Sequence, residues 1–128
     1  MSSNGGESDR KKNRFLAFLE AGILLMEVSL MLRAVWNGVV LAEAPRTIWL
    51  EGNHYFPPEA LNREFFTTTK SWSVCPWKGV ARYYTVVADG ETNRNAAWYY
   101  PHPSPLARKI KNHVAFWNGV RVEGKPEP

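Results

Sequence analysis

Cysteine is almost missing from this 128-residue chain, with Cys75 as its single copy. An intramolecular disulfide is excluded, and a reducing, cytoplasmic setting is the expectation. Histidine is scarce as well. His54, His102 and His113 are scattered, and with one thiol they make a poor four-ligand set for zinc, so no metal is expected. Aspartate occurs only at Asp9 and Asp89. Without an Asp-x-Asp pair or a glycine-rich phosphate loop, no motif holds Mg²⁺ beside a triphosphate, and no cofactor is expected.

Long apolar runs and charge of one sign are also in short supply. Phe15 to Leu32 (FLAFLEAGILLMEVSLML) is the most helix-like stretch, but Glu20 and Glu27 fall inside it. That speaks against a membrane span, which needs about 20 apolar residues. Glu20 also interrupts the apolar core of a secretory signal, and no small-residue cleavage site follows. Residues 1–31 are expected to be a disordered polar tail and then a loosely docked apolar helix, or else an extension ahead of a start at Met26 or Met31. Net charge is only +4, and the charges of residues 1–30 cancel. The surplus is spread over Arg33, Arg46, Lys78, Arg82, Arg94 and the 108–111 stretch. Mild attraction for anions follows, with no specific nucleic-acid surface and no membrane partner expected.

Aromatic residues are abundant: six Trp, five Tyr and six Phe, all but Phe15 and Phe18 lying beyond Met31. So many rings fill a core and leave some to line a concave surface, where they bind flat or cationic ligands. From Leu32 onward the texture is β. Asn37-Gly38 and Asn118-Gly119 share the pattern A-x-W-N-G-V and suit type I′ turns, so similar hairpins over 34–41 and 115–122 are expected to open and close the domain. Asp89-Gly90 predicts another hairpin, joining a strand over 79–88 to a partner over 96–100, and residues 47–51 form a further strand. Helix is sparse, confined to residues 58–65 after Pro58 and to 104–111, where Ser104 is placed to cap and Pro105 to start a turn. Such regular turn signals predict a mainly β, compact antiparallel domain over residues 32–124, followed by a short tail over 125–128.

Five strings stand in one order: Trp36-Asn37-Gly38, Glu51-Gly52-Asn53-His54-Tyr55-Phe56-Pro57-Pro58, Cys75-Pro76-Trp77-Lys78-Gly79, Ala97-Trp98-Tyr99-Tyr100-Pro101 and His113-Val114-Ala115-Phe116-Trp117. On these the chain resembles the domain of unknown function 427 family over about residues 32–124. The resemblance implies a β-tent, two small antiparallel sheets leaning together with one or two short helices. Many proteins of that fold pin the tent with a four-Cys zinc site. This chain lacks those cysteines, so packing must replace the metal and zinc-dependent roles do not carry over. The family also bears a nucleotidyltransferase label, to which the missing carboxylate pair and phosphate loop lend little support.

Cys75-Pro76-Trp77-Lys78-Gly79 is the most suggestive short string. A turn held by Pro76 and Gly79 would present Trp77 and Lys78 outward, and Lys78 would lower the pKa of the Cys75 thiol. The plain alternative is a small buried Cys next to an ordinary turn. Glu51 follows an apolar strand at a sharp bend, where its carboxylate would accept a proton or hydrogen bond, or else pair with an arginine such as Arg46. His54 shares that loop, with solvent exposure expected. His113 suits proton transfer near neutral pH, or else serves as a hydrogen-bonded structural histidine. Strand alternation puts Trp98 and Tyr100 on one face and Tyr99 on the other.

The expected function is binding of a small planar or polar ligand, nucleoside- or metabolite-like, in an aromatic-lined cleft of Glu51, Trp77, Lys78, Tyr84 and Trp98. Lys78 would meet an anionic or carbonyl group, and Glu51 would orient a donor. One rival is an enzyme, transferase- or hydrolase-like, with Glu51, His113 and Cys75 as acid, base and nucleophile. The other is a protein-interaction module that pairs through exposed hairpin edges.

Overall fold

The computed structural model describes residues 31–124; the expected tail and helix over 1–30 and the tail over 125–128 lie outside the described residues. Within them the strands run β1 Leu32–Trp36, β2 Val39–Ala44, β3 Ile48–Leu50, β4 Asn53–Tyr55, β5 Phe66–Cys75, β6 Gly79–Ala88, β7 Glu91–Tyr99, β8 Val114–Phe116 and β9 Arg121–Glu123. The class is mainly β, and the strands pair antiparallel. They form three sheets, ordered β2-β1-β9, β3-β4 and β5-β6-β7-β8, rather than two. The third arises because the three-residue strands β3 and β4 pair only with each other. A backbone bridge then ties their end to β8: Phe56 and Val114 exchange two N–H···O bonds of 2.8 Å.

Turn chemistry sets the hairpins. Asn37 and Gly38, and likewise Asp89 and Gly90, take the paired positive φ of type I′ turns, whose twist matches that of the strands they join. Asn118 and Gly119 make the same turn, yet no closing hairpin forms. β8 pairs with β7, while β9 pairs with β1. Trp117 accounts for the divergence: its backbone N–H bonds Ala96 O at 3.0 Å and its indole N–H bonds Asn95 O at 2.7 Å. The ring stays on the four-stranded sheet while the turn carries the chain across to β1.

The short helices are 3₁₀ turns at Pro58–Ala60, Arg63–Phe65 and Pro105–Ile110. The first two are separate because the residues between them bind β2. Leu61 bridges Ala42, and Asn62 donates its backbone N–H to Leu41 O and its side-chain amide to Val40 O. Among the described residues no helix is long and apolar enough to cross a membrane.

The core lies on both faces of the four-stranded sheet. On one face, Val86, Ala97, Val114 and Phe116 pack with Leu32, Ala34, Leu41 and Ala42 of the three-stranded sheet. On the other, Ala81, Tyr100 and Ala115 pack with Tyr55, Ala107 and Ile110. Alternation along β7 sorts the rings as expected: Tyr99 packs against the first cluster, whereas Trp98 and Tyr100 belong with the second.

Candidate functional site

The β3–β4 hairpin turns on Glu51 (φ 52) and Gly52 (φ 80), again with both φ positive. The other three turns of this kind begin with Asn37, Asp89 or Asn118, short side chains that tolerate the left-handed region. Glutamate has no such local compensation, so contacts outside the turn must hold it there. They come from the β5–β6 turn. The Trp77 indole N–H donates to Glu51 Oε2 at 3.0 Å, and the Lys78 ammonium donates to Glu51 Oε1. The partner of Glu51 is therefore Lys78, not an arginine.

Cys75 and Gly79 face each other at the end of β5 and β6, leaving Pro76, Trp77 and Lys78 to make the turn. A strap of residues 102–104 crosses it. Ser104 donates its backbone N–H to Lys78 O at 3.0 Å and its hydroxyl to Trp77 O at 2.7 Å. Ser104 does occupy the helix-capping position, but its hydroxyl makes no cap bond because Trp77 takes it. Close approach of the strap explains Gly79, where a Cβ would lie 3.3 Å from His102 O.

Lys78 does not point outward. It is only 6% exposed, and its Nζ lies 5.2 Å from the Trp77 ring centroid and 5.7 Å from that of Tyr100. The Glu51 carboxylate draws the ammonium inward, and the ring faces complete its shell. Burial works against the charge, but the Glu51 bond and neighbouring Tyr100 and Tyr55 push the Lys78 pKa up to about 12. Bonds from Lys78 and Trp77 in turn hold the Glu51 carboxyl below its ordinary value. Burial pushes Tyr100 up to about 12 and also raises Tyr55. At Cys75 burial alone would raise the thiol, but the backbone N–H groups of Lys78 and Trp77 and the Lys78 ammonium bring it below its ordinary value.

Of the residues singled out by sequence, the fold gathers Glu51, Cys75, Trp77 and Lys78. Trp98 is linked to them through Tyr55, whose hydroxyl accepts the Trp98 indole N–H at 3.3 Å. Tyr84 is not among them. It projects from the opposite face of β6 and stacks on Tyr99, with centroids 4.7 Å apart; its neighbour Tyr83 is the ring that shares the Trp98 face. His113 stands apart too, donating Nδ1–H to Lys111 O at 2.9 Å and forming no hydrogen bond with Glu51 or Cys75. His54 is half-buried rather than free in solvent, sharing a 2.8 Å hydrogen bond with Thr47 Oγ1 and tilting over Trp49.

Tyr55, Tyr100 and Ser104 complete the site without a sequence signal that marks them as such. Among the described residues no group of three or more His, Cys, Asp or Glu side chains is placed to hold a metal ion. Chemically, the site offers a carboxylate that is 48% exposed, beside a partly exposed indole, with a buried ammonium as its counter-ion. The family model described as a domain of unknown function (DUF427) matches residues 24–125. No curated protein matches the chain significantly.

Proposed function

The chain belongs to the DUF427 family, whose description assigns no activity, and we propose that it binds a small planar ligand rich in N–H donors, nucleobase- or amide-like, along the Glu51–Trp77 edge. The observation that carries this reading is the ionised Glu51 carboxylate, held in a left-handed turn by two donors yet still half exposed. Each carboxylate oxygen has capacity for a further hydrogen bond. The Trp77 ring is pinned through its N–H, so it offers a fixed plane for stacking beside those acceptors. Lys78 acts as the internal counter-ion that keeps Glu51 charged rather than as a ligand contact. This polarity favours neutral or cationic ligands over anions, and it argues against a phosphate at this edge.

Titration with nucleobases, nucleosides and amide metabolites, followed by thermal shift and by the Trp77 indole resonance, tests the proposal. A binder is expected whose affinity falls at least ten-fold in Glu51→Gln and in Trp77→Ala. If no compound binds, or if both variants bind like the parent protein, the reading fails.

One observation favours a second reading, an enzyme with Cys75 as nucleophile: its thiol is shifted toward the thiolate by the Lys78 turn. In that case Glu51 and Lys78 would serve as the charged partners, and His113 would take no part. Labelling of Cys75 no faster than a free thiol would dismiss it.

A further inference from the structure

On the other face of the four-stranded sheet, β5, β6 and β7 set Trp72, Arg82 and Tyr99 in one cross-strand row. Tyr84, two residues along β6 from Arg82, stacks on Tyr99 with planes 23° apart. The Arg63–Phe65 turn packs on β6 and brings Arg63 Nη1 to 3.4 Å from the Tyr84 hydroxyl. The inner half of this face is core, around Val86 and Ala97. Its outer end is open: Trp72 is 62% exposed, and Arg82, Val74 and Val80 are exposed beside it.

Hydrogen-bonding capacity here is one-sided. The Tyr84 oxygen accepts from Arg63 at 3.4 Å. The rest of the Arg63 guanidinium and the whole of the Arg82 side chain then have no acceptor among the described residues. The ion pairs described there leave Arg63 and Arg82 without a carboxylate. Burial and Tyr84 raise the Tyr99 pKa despite the nearby Arg82 and Arg63, so its phenol remains a proton donor at neutral pH. Two guanidinium groups beside stacked tyrosines on one face, with no carboxylate paired to either, are complementary to a tetrahedral oxyanion. Trp72 stands one strand away from Arg82, about 4.8 Å across the sheet, with an open ring on which a flat group can lie.

We propose that Arg63, Arg82, Tyr84 and Tyr99 bind a phosphate group and that Trp72 stacks the base attached to it, making this face a site for nucleoside monophosphates. The site shares no residue with the Glu51–Trp77 edge and lies on the opposite side of the sheet, so either can stand without the other.

Titration of the full chain at low salt with inorganic phosphate, adenosine monophosphate and adenosine, followed by amide and indole NMR shifts, tests it. The nucleotide is expected to bind more tightly than phosphate and to move the Trp72, Tyr84 and Tyr99 signals. Arg82→Gln should weaken nucleotide and phosphate at least ten-fold. Arg108→Gln removes the same charge from another surface and should change neither more than two-fold. Trp72→Ala should lower nucleotide affinity to that of phosphate and leave phosphate binding intact. The proposal is overturned if neither anion binds, if Arg82→Gln binds like the parent, or if Arg108→Gln weakens binding equally. Equal affinity for phosphate and nucleotide would overturn the role of Trp72. Each variant is checked for an unchanged melting temperature.

Discussion

Replacing Gly79 by alanine makes two demands on the chain at once. The residue has φ +118, a region that L-residues avoid, and holding one there costs about 1–3 kcal/mol. The added methyl would also stand 3.3 Å from His102 O and 3.6 Å from Pro103 Cα, so the strap must retreat by a few tenths of an ångström. It cannot do so freely, because Ser104 holds the Trp77 and Lys78 carbonyls. Stretching those two bonds adds about 1 kcal/mol or more. Gly38 is the control: it has φ +75, and nothing lies within 4 Å of where an added methyl would stand, so alanine there carries strain alone, about 1–2 kcal/mol. Urea unfolding of Gly38→Ala and Gly79→Ala is expected to show losses of about 1–2 and 2–4 kcal/mol respectively. The Trp77 indole N–H resonance should move in Gly79→Ala but not in Gly38→Ala, since only the former loosens the turn that presents it to Glu51. Equal losses, within about 0.5 kcal/mol, together with an unmoved Trp77 resonance would refute the strap as a constraint on the site.

Phe56→Ala should cost about 3–5 kcal/mol by denaturant unfolding, because Phe56 is fully buried and packs edge-on against Phe116 at 5.7 Å. Stability should fall at both the acid and the alkaline end of the pH range. On the alkaline side Lys78 and Tyr100, both raised to about 12, bind protons more tightly folded than unfolded; their contribution is present below about pH 10 and is lost as pH rises toward 12. On the acid side the depressed Glu51 contributes above its ordinary value of 4.5 and loses that contribution as pH falls through its folded value. Melting temperatures of the parent and Tyr100→Phe check this, the variant showing a shallower alkaline limb. Cys75 should react with a disulfide reagent at pH 7.5 faster than in Lys78→Met, which removes the ammonium that stabilises the thiolate.

The hairpins were legible wherever turn chemistry is local. Asn37-Gly38 and Asp89-Gly90 announce positive φ by residue type, and the strands on either side follow. Asn118-Gly119 announces its turn equally well, but not where the flanking strands go. That depends on Trp117 binding Asn95 and Ala96, contacts some twenty residues away that no local pattern encodes. Strand β5 was hidden for a different reason: Thr, Lys and Ser fill residues 67–71, as suits an exposed edge, and leave no apolar alternation to read. In the site, the residues of distinctive type, Glu51, Trp77 and Lys78, could be named from sequence. Lys78 pointing inward could not, because that follows from a carboxylate delivered by a separate hairpin.

Tyr84 and Trp98 show how strand parity divides the chemistry of this protein. Both flank the centre of the four-stranded sheet, and Tyr84 stands directly opposite Ala97, one residue before Trp98. That single residue of offset sends the two rings to opposite faces. On the Trp98 face the surplus is in acceptors, at the half-exposed Glu51 carboxylate, since the nearest cation is already buried against it. On the Tyr84 face the surplus is in donors, at Arg63, Arg82 and the tyrosine hydroxyls. The two faces therefore favour opposite charges: a phosphate is repelled by Glu51, and a cationic amidine finds no acceptor beside Arg82. The sheet separates the two demands without moving any strand, because alternation alone fixes which side chains meet.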